Sequence, residues 1–402
     1  MTLKAAVLSV MLCVSAQAQL RAIVPPNAAP SSSPFTPGVF AGDYLYVSGQ
    51  GGSGPKGETA STFEAQVRQA LENVKSVVEA AGLTLKNVVY TQVYLDNMIH
   101  FDAMNRVYAE YFRDTPPARA TIGVAGLVGG TSIEITAVAV RDASVIEAVA
   151  VTGRRIDEPV SAGILTNDRL FISAMPGKPS NAEAQVDDAL NGMKSIVEAA
   201  GLKLANVVFV NPYLTRQMPA KIMNRLYARR FEFGNTPARA TIEVTSLPLD
   251  AQIEFTGVAV RDLSRRHAVR PRNMPPSPTA SPCVFAGDTL YCSAKSGFIP
   301  GLNGGVFTPD VKLQLRQTMR NLLDNLEEAG LTFNDVVSTN VYLDNLADFS
   351  LMNELYSKYF RGILPARTTI QQIAPADRSK RDDDTYADLE QISLIAVKPP
   401  PK

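Results

Sequence analysis

The chain carries one sequence pattern three times. The segments PPARATIGV, TPARATIEV and LPARTTIQQ lie at 116–124, 236–244 and 364–372. Each follows a second matching segment, which reads MNRVYAEYF, MNRLYARRF or MNELYSKYF. Arg119, Arg239 and Arg367 are 120 and 128 residues apart, so the three copies stay in register. A repeat of this length is one domain, and the fold of one copy therefore determines the architecture of the chain.

Hydrophobic periodicity gives the order of elements in one copy. VFAGDYLYVSG predicts two short strands joined by a turn, and residues 63–81 predict an amphipathic helix with Gly82 after its end. A strand (VVYTQVYL), a helix around Met104 and two closing strands (ARATIGV and SIEITAVAV) follow. The predicted unit is ββαβαββ, an α+β domain with both helices on one face of its sheet.

The second face and the edges of such a sheet need cover, and three copies in one chain can cover one another around a pseudo-threefold axis. We therefore expect a pseudo-trimer of domains at 20–147, 148–264 and 283–402. Residues 265–282 are rich in Pro and Arg and predict a linker. The arginines of this linker are either solvated or contact an acidic partner.

The N-terminus has the pattern of an export signal. Lys4 precedes an apolar run of 12 residues, which is too short to span a bilayer, and Ala16-Gln17-Ala18 fits a cleavage site. We expect residues 1–18 to be removed and the protein to be periplasmic or secreted. The alternative is a buried N-terminal helix. No other apolar run approaches 18 residues, so the sequence predicts no membrane contact.

Two cysteines of the third copy face each other in the predicted hairpin. The turn at Gly287-Asp288 places Cys283 directly opposite Cys292. An exported protein can close this pair as a disulfide, although a direct cross-strand bridge strains the preferred geometry. The alternative is two reduced, buried thiols.

Charge and composition exclude several classes of function. The 39 Lys and Arg balance 39 Asp and Glu, whereas a protein that tracks nucleic-acid phosphates normally has a basic excess. With two His and three Cys, the chain has no cluster of metal ligands and no Ser-His-Asp or Cys-His arrangement shared by the copies. Phosphate-binding glycine loops are also absent from the sequence.

Chemistry shared by the copies must use polar residues that recur. These are Arg119, Arg239 and Arg367; Asn105, Asn224 and Asn353; Tyr108, Tyr227 and Tyr356; Ser48, Ser173 and Ser293; and Thr121, Thr241 and Thr369. A glutamate recurs in two copies, as Glu134 and Glu254. We expect the tyrosines in the core. Each asparagine either binds a substrate nitrogen or lies on the helix surface, and each serine either reaches a ligand or binds a loop.

The arginine is the strongest candidate. Its planar guanidinium binds a carboxylate through two hydrogen bonds and stays charged at any working pH. It lies in an apolar strand, where an unpaired cation is costly. The arginines therefore either bind an anionic ligand or form structural ion pairs, such as Arg119 with Glu134 on two strands expected to be adjacent.

The glutamate interrupts an alternating apolar strand, so we expect it to face a cleft. A carboxylate there can orient or deprotonate a water molecule, and the alternative is a salt bridge to the arginine. Alignment of the third copy on its shared Ala-Val ending places Gln391 at this position and Glu390 one residue earlier. A shift of one residue turns a side chain to the other face of the sheet, so we expect no working base from the third copy.

The PAR motifs, the Asn-x-x-Tyr helix and the I-E-I strand resemble those of the Rid (reactive intermediate deaminase) family, also called the YjgF or endoribonuclease L-PSP family. The resemblance covers essentially the whole chain after residue 18. It implies a chorismate-mutase-like fold and homotrimers with active sites between subunits, so this chain looks like a fused trimer. It also implies that the matching arginine binds a substrate carboxylate, the matching glutamate positions the hydrolytic water and the matching serine lies at the ligand cleft.

The sequence departs from the family pattern at two places. A family tyrosine thirteen residues before the serine is replaced by Phe35, Val160 and Ala280 in the three copies. Gly49, which follows the serine in the first copy, is replaced by Ala174 and Ala294. These departures imply a different substrate or a loss of turnover.

The resemblance implies hydrolytic deamination of small enamine or imine carboxylates, of the 2-aminoacrylate or 2-iminopropionate type, to 2-keto acids and ammonia. No cofactor or metal is expected, and the expected partner is a small carboxylate metabolite rather than a nucleic acid. We expect a monomer with internal threefold symmetry. Two alternatives remain, a non-catalytic carboxylate-binding protein and an endoribonuclease.

Overall fold

The computed structural model describes residues 20–26, 28, 33–151, 159–272, 274–301, 305–374 and 386–399. The predicted export signal at 1–18 lies outside the described residues. Within the described ranges, no helix combines the length and the apolar character needed to cross a bilayer.

The three domains repeat one order of elements. The first contains β1 (Arg21–Ile23), β2 (Gly38–Ala41), β3 (Tyr44–Gly51), α1 (Phe63–Ala80), β4 (Val88–Leu95), α2 (Phe101–Tyr111), β5 (Ala118–Gly123), β6 (Gly126–Leu127) and β7 (Ile133–Val140). The second contains β8 (Glu147–Val149), β9 (Gly163–Leu165), β10 (Arg169–Pro176), α3 (Ala182–Ala199), β11 (Val207–Thr215), α4 (Ala220–Ala228), β12 (Ala238–Arg239), β13 (Ile242–Val244) and β14 (Ile253–Val260). The third contains β15 (Arg266–Val269), β16 (Cys283–Ala286), β17 (Thr289–Ser296), α5 (Val311–Glu328), β18 (Val336–Leu343), α6 (Phe349–Tyr356), β19 (Ala366–Gln371) and β20 (Glu390–Val397).

Each domain has one sheet, and the strand order is the same in all three. The orders are β1-β2-β3-β7-β4-β5, then β8-β9-β10-β14-β11-β12 with β13 also on β11, and β15-β16-β17-β20-β18-β19-β6. The last strand of each domain therefore lies in the middle of its sheet. This α+β architecture of three tandem chorismate-mutase-like domains confirms the predicted fold class.

Each sheet begins with a strand that the sequence analysis did not predict. Residues 266–269, which we expected in the linker 265–282, form β15 and pair with β16 over the register Arg266↔Ala286 to Val269↔Cys283. The linker interpretation is wrong for these four residues. Strands of three or four residues are too short to show a clear alternation, and β15 is fixed by its edge pairing and by the buried side chain of Val269.

The first helix of each domain forms as its periodicity predicts. In α1, buried residues recur every three or four positions from Val67 to Val78 and pack against the sheet. Thr62 caps the start of the helix by accepting a hydrogen bond from the backbone N–H of Ala65. Gly82 adopts a φ of 82° after the end, as expected for a residue in the left-handed region.

The opposite faces of the three sheets pack against one another. Equivalent side chains of all three domains meet in one shared apolar cluster, which includes Tyr94, Tyr213 and Tyr342 and also Ile122, Ile242 and Ile370. The short strand β6 of the first domain extends the sheet of the third through the pair Leu127↔Ile370. The copies therefore cover one another as expected for a pseudo-trimer.

One buried cluster joins all three domains but is not symmetric. Tyr44, Arg169 and Thr289 occupy equivalent positions at the start of β3, β10 and β17. The Arg169 guanidinium lies 4.1 Å from the ring centroid of Tyr44 and donates hydrogen bonds to Tyr291 (2.8 Å) and Thr289 (3.2 Å). It also forms an ion pair with Asp168. One cation thus contacts residues of each domain.

Cys283 and Cys292 lie directly opposite each other in β16 and β17 and are joined by a disulfide. The equivalent pairs in the other domains are Gly38 with Val47 and Gly163 with Ile172. Of these three equivalent strand pairs, the one in the third domain carries the disulfide.

We expect the Cys283→Ala/Cys292→Val variant to unfold at a lower urea concentration than the wild type, because it loses a covalent loop. Closing a loop of this length contributes about 2 to 3 kcal/mol in the chain-entropy description. Dithiothreitol should lower the urea midpoint of the wild type but not that of the variant. Equal sensitivity of both proteins to the reductant would contradict a structural disulfide.

Candidate active site

Three hydrogen bonds at the domain seams place each arginine beside the next domain. The backbone N–H of Arg119 donates to Ser173 Oγ (2.8 Å), that of Arg239 to Ser293 Oγ (2.8 Å) and that of Arg367 to Ser48 Oγ (2.9 Å). The contacts run from domain one to two, two to three and three to one. We name these seams the first, second and third cleft in that order.

The serines take the second of the two roles that the sequence left open, a hydrogen bond to a loop. Each hydroxyl donates its proton to a backbone carbonyl twelve residues upstream, that of Thr36, Ser161 or Ser281, at 2.6 Å. The same oxygen accepts the neighbouring arginine N–H. Because a hydroxyl has one proton, these serines have no donor left for a ligand, and their contribution to the cleft is to fix the arginine strand.

Two of the three arginines are buried, and Arg239 is half-buried. Arg119 is 4% exposed and Arg367 is 5% exposed. Arg119 donates to Asn105 Oδ1 and Arg239 donates to Asn224 Oδ1, both at 2.7 Å. The asparagines of the first two domains thus orient the arginine, whereas the amide oxygen of Asn353 is buried with no partner among the described residues.

The tyrosine one turn after each asparagine lies in the core, as expected. Tyr108, Tyr227 and Tyr356 are buried, and the three guanidinium carbons lie 4.7, 5.2 and 5.0 Å from their ring centroids. A cation above an aromatic ring is attracted to its negative face. The rings therefore support the arginines from the side that faces away from the clefts.

The ion pair that we considered between Arg119 and Glu134 does not form because the two strands are not adjacent. Strand β4 lies between β5, which carries Arg119, and β7, which carries Glu134. Glu134 instead lines the third cleft together with Arg367 of the third domain. Each of the two glutamates, Glu134 and Glu254, thus shares a cavity with an arginine of a neighbouring domain rather than with the arginine of its own copy.

Glu134 is buried and has one hydroxyl partner from the neighbouring domain. It is 6% exposed, and one carboxylate oxygen accepts a hydrogen bond from Thr368 Oγ1. Burial raises the pKa of Glu134 to about 7, against the Thr368 hydrogen bond and the Arg367 charge, which both lower it. The third cleft opens into a cavity of about 670 Å³ that Glu134, Arg367, Thr369 and Phe35 line.

The first cleft contains the second glutamate. Glu254 lies opposite Tyr213 in the sheet, just as Glu134 lies opposite Tyr94. Together with Arg119 and Thr121 it lines a cavity of about 350 Å³. Val160 lies at the edge of this cavity, at the position of Phe35 in the third cleft.

The second cleft has no carboxylate at this position. Gln391 lies opposite Tyr342, which confirms the sequence alignment, and its Nε2 donates to the backbone carbonyl of Thr241 (3.1 Å). Glu390 is turned to the helix side of the sheet, where it accepts a hydrogen bond from Thr318 of α5. The one-residue shift therefore has the predicted effect.

The recurring threonine lies two residues after each arginine. The hydroxyl oxygens of Thr121, Thr241 and Thr369 are buried, and none has a hydrogen-bond partner among the described residues. Sequence reasoning missed Thr368, the neighbour of Thr369. The available signal was the third copy's Thr-Thr where the other copies have Ala-Thr. In the described part of the chain, no three His, Cys, Asp or Glu side chains are grouped to hold a metal ion.

Comparison with known proteins finds the same family three times in the chain. Residues 26–141, 156–261 and 274–376 each match the family model described as endoribonuclease L-PSP. A RutC family protein of Pyrococcus horikoshii is 41% identical over 118 residues, which are 29% of this chain and 94% of that protein. The 2-iminobutanoate/2-iminopropanoate deaminase of Escherichia coli is 39% identical over 125 residues, 30% of this chain and 98% of that protein.

Two solved structures are also similar to single domains. The yjgF gene product of Escherichia coli is 39% identical and covers 30% of this chain and 99% of its own, with a TM-score of 0.30. Escherichia coli TdcF, solved with bound serine, is 33% identical with the same two coverages and the same TM-score.

The raised pKa of Glu134 predicts a pH-dependent stability difference between the wild type and Glu134→Gln. The folded protein holds this proton up to about pH 7, whereas the unfolded chain releases it near 4.5. The free energy of unfolding contributed by Glu134 therefore falls as the pH rises from about 4.5 to 7. In urea unfolding, the free energy of unfolding of Glu134→Gln should therefore rise relative to that of the wild type over this pH range, by at most about 3 kcal/mol. A constant difference from pH 5 to pH 8 would contradict the assignment.

Proposed function

Because the chain belongs to the endoribonuclease L-PSP family, we propose that it hydrolyses small 2-imino and enamine carboxylates to 2-oxo acids and ammonia. The naming of a relative as 2-iminobutanoate/2-iminopropanoate deaminase supports this reaction. The observation that carries the proposal is the third cleft, where a buried arginine, a buried carboxylate and a hydroxyl that has no partner among the described residues line one cavity.

The arginine provides the site for the substrate carboxylate. The guanidinium of Arg367 can bind both oxygens of a carboxylate, and the Thr369 hydroxyl can donate to the same group. A ligand bound there gives a partner to a buried hydroxyl that has none among the described residues, and leaving such a group unsatisfied costs about 1 to 3 kcal/mol. The small size of the expected substrate is compatible with the cavity of about 670 Å³.

The glutamate provides the proton transfers. A water molecule adds to the carbon of the C=N bond, and Glu134 transfers one of its protons to the nitrogen, which gives a carbinolamine. Glu134 then takes the proton of the carbinolamine hydroxyl and passes it to the nitrogen as the C–N bond breaks, the C=O bond forms and ammonia leaves. An acid with a pKa near 7 is suited to both steps at neutral pH, and such catalysis contributes about 10²–10⁴ in rate. Hydrolysis transfers no electrons, so the reaction requires no redox partner.

The three clefts differ in what they can do. The first and third clefts contain a glutamate, whereas the second contains Gln391, which cannot accept a proton from water. In the second cleft, Arg239 and Thr241 can still bind a carboxylate. The alternative function of non-catalytic carboxylate binding is therefore favoured for this cleft alone. The burial of Arg119 and Arg367 also favours a small ligand over the exposed phosphates of RNA.

We also propose that the protein is exported and acts as a monomer. The first point rests on the signal-like pattern of residues 1–18. The second rests on the seams, because the contacts that complete each cleft lie within one chain.

We expect Glu134→Gln and Glu254→Gln each to lose part of the deaminase activity and the double variant to lose at least about 100-fold. The assay is the release of 2-oxobutanoate from 2-iminobutanoate formed in situ, corrected for hydrolysis without protein. Arg68→Ala, which removes an exposed arginine paired with Glu110, is the matched control and should keep the wild-type rate. A double variant that turns over like the wild type would rule out the proposed reaction in these clefts.

A further inference from the structure

The third cleft differs from the first at two positions that touch the glutamate. In the third cleft, Thr368 donates a hydrogen bond to Glu134 from the neighbouring domain. The equivalent of Thr368 in the first cleft is Ala120, which has no hydroxyl for Glu254. Gly49 of the third cleft corresponds to Ala174 in the first. The pair is thus Gly with Thr in one cleft and Ala with Ala in the other.

The carboxylate of Glu134 occupies the space that a side chain at position 49 would need. A Cβ built on Gly49 would lie 1.8 Å from Glu134 Oε1, 2.5 Å from its Cδ and 2.9 Å from Thr368 Oγ1. All three atoms are at the ends of side chains, so a Cβ at position 49 would have to displace the carboxylate of Glu134. A residue with a Cβ is therefore incompatible with the observed position of Glu134, and Ala174 prevents Glu254 from taking the equivalent position.

We propose that Thr368 is a positioning residue, which uses the space left by Gly49 to hold Glu134 in one orientation and makes the third cleft the principal site of turnover. This inference rests on the proposed function. Thr368 and Glu134 are both buried, so the hydrogen bond between them is not exchanged with bulk water. Because Thr368 engages Oε1, the other carboxylate oxygen is left for the reacting water.

The electrostatic surroundings give Thr368 a second effect. Among the described residues, the charged and titratable groups that face Glu134 are Arg367 on β19 and Tyr94 on β4. Burial raises the pKa of Glu134, while the Thr368 hydroxyl and Arg367 stabilise its ionised form. Removing the hydroxyl therefore favours the protonated acid, which cannot accept a proton from water.

The test compares Thr368→Ala with Thr368→Ser in a Glu254→Gln background, which silences the first cleft. We expect Thr368→Ala to lower kcat about 10-fold to 100-fold, as for a lost hydrogen bond to a charged group, and to leave KM within about twofold because Arg367 is intact. The acidic limb of the kcat–pH profile should move to higher pH. Thr368→Ser should restore both quantities.

Substitutions at these positions in both clefts test whether Gly49 and Thr368 together account for the higher activity that we expect of the third cleft. Gly49→Ala should lower kcat as much as Thr368→Ala does. The kcat of the double variant Gly49→Ala/Thr368→Ala should be no lower than that of either single variant, because both substitutions disturb the same hydrogen bond between Thr368 and Glu134. In a Glu134→Gln background, Ala120→Thr/Ala174→Gly should raise the kcat of the first cleft about 10-fold. Failure of this gain would overturn the claim that the pair makes the third cleft the principal site.

A titration separates this inference from the proposed function. Carbon-13 NMR of glutamate-labelled protein, with Glu134→Gln to assign the signal, measures the pKa of Glu134 without any substrate. If the wild type shows no turnover but Thr368→Ala raises this pKa, the reaction is wrong and the positioning stands. An unchanged pKa in Thr368→Ala, or a Thr368→Ser variant as impaired as Thr368→Ala, would overturn the positioning role.

Discussion

The contact between one serine hydroxyl and the backbone N–H of an arginine in the next domain determines the rest of the site. This hydrogen bond occurs at all three seams, and it fixes the position of each arginine strand relative to the sheet of the next domain. The guanidinium of one domain thereby faces the glutamate position of the next. A domain alone contains an arginine and a glutamate separated by a full strand, and only their assembly produces a cleft that has both.

The sequence predicted the elements better than it predicted their partners. The repeats, the helices and the position of Gly82 depend on local periodicity and backbone conformation, which one copy contains in full. The partner of Arg119 could not be found in this way, because residues close in the sequence of one copy are separated by β4 in its sheet. The arginine–asparagine bond was also missed, since whether Asn105 lies on a helix surface or against a guanidinium depends on the packing of α2.

The same limit applies to the differences between the clefts. Alignment was sufficient to place Gln391 opposite the strand that carries Tyr342, because strand register is set by the pattern of alternating residues. Gly49 and Thr368 are 319 positions apart in the sequence numbering and are informative together only once the first and third domains are seen in contact. The sequence linked the replacement of Gly49 only to a different substrate or a loss of turnover and gave no role to Thr368. In the cleft, both positions lie against the carboxylate of Glu134.

The buried cluster around Arg169 has a consequence for how such a chain can change over time. Three identical copies of the second domain, arranged in the same way, would bring three buried guanidinium groups together. Neither the ring of Tyr44 nor the hydroxyl of Thr289 would then be present to contact them. Fusion into one polypeptide gives each domain a fixed position in the pseudo-trimer. An arginine can therefore be accommodated at one of the three equivalent positions without occurring at the other two. The three domains can therefore no longer be exchanged for one another around the pseudo-threefold axis, because the Arg169 side chain requires Tyr44 from the first domain and Thr289 from the third.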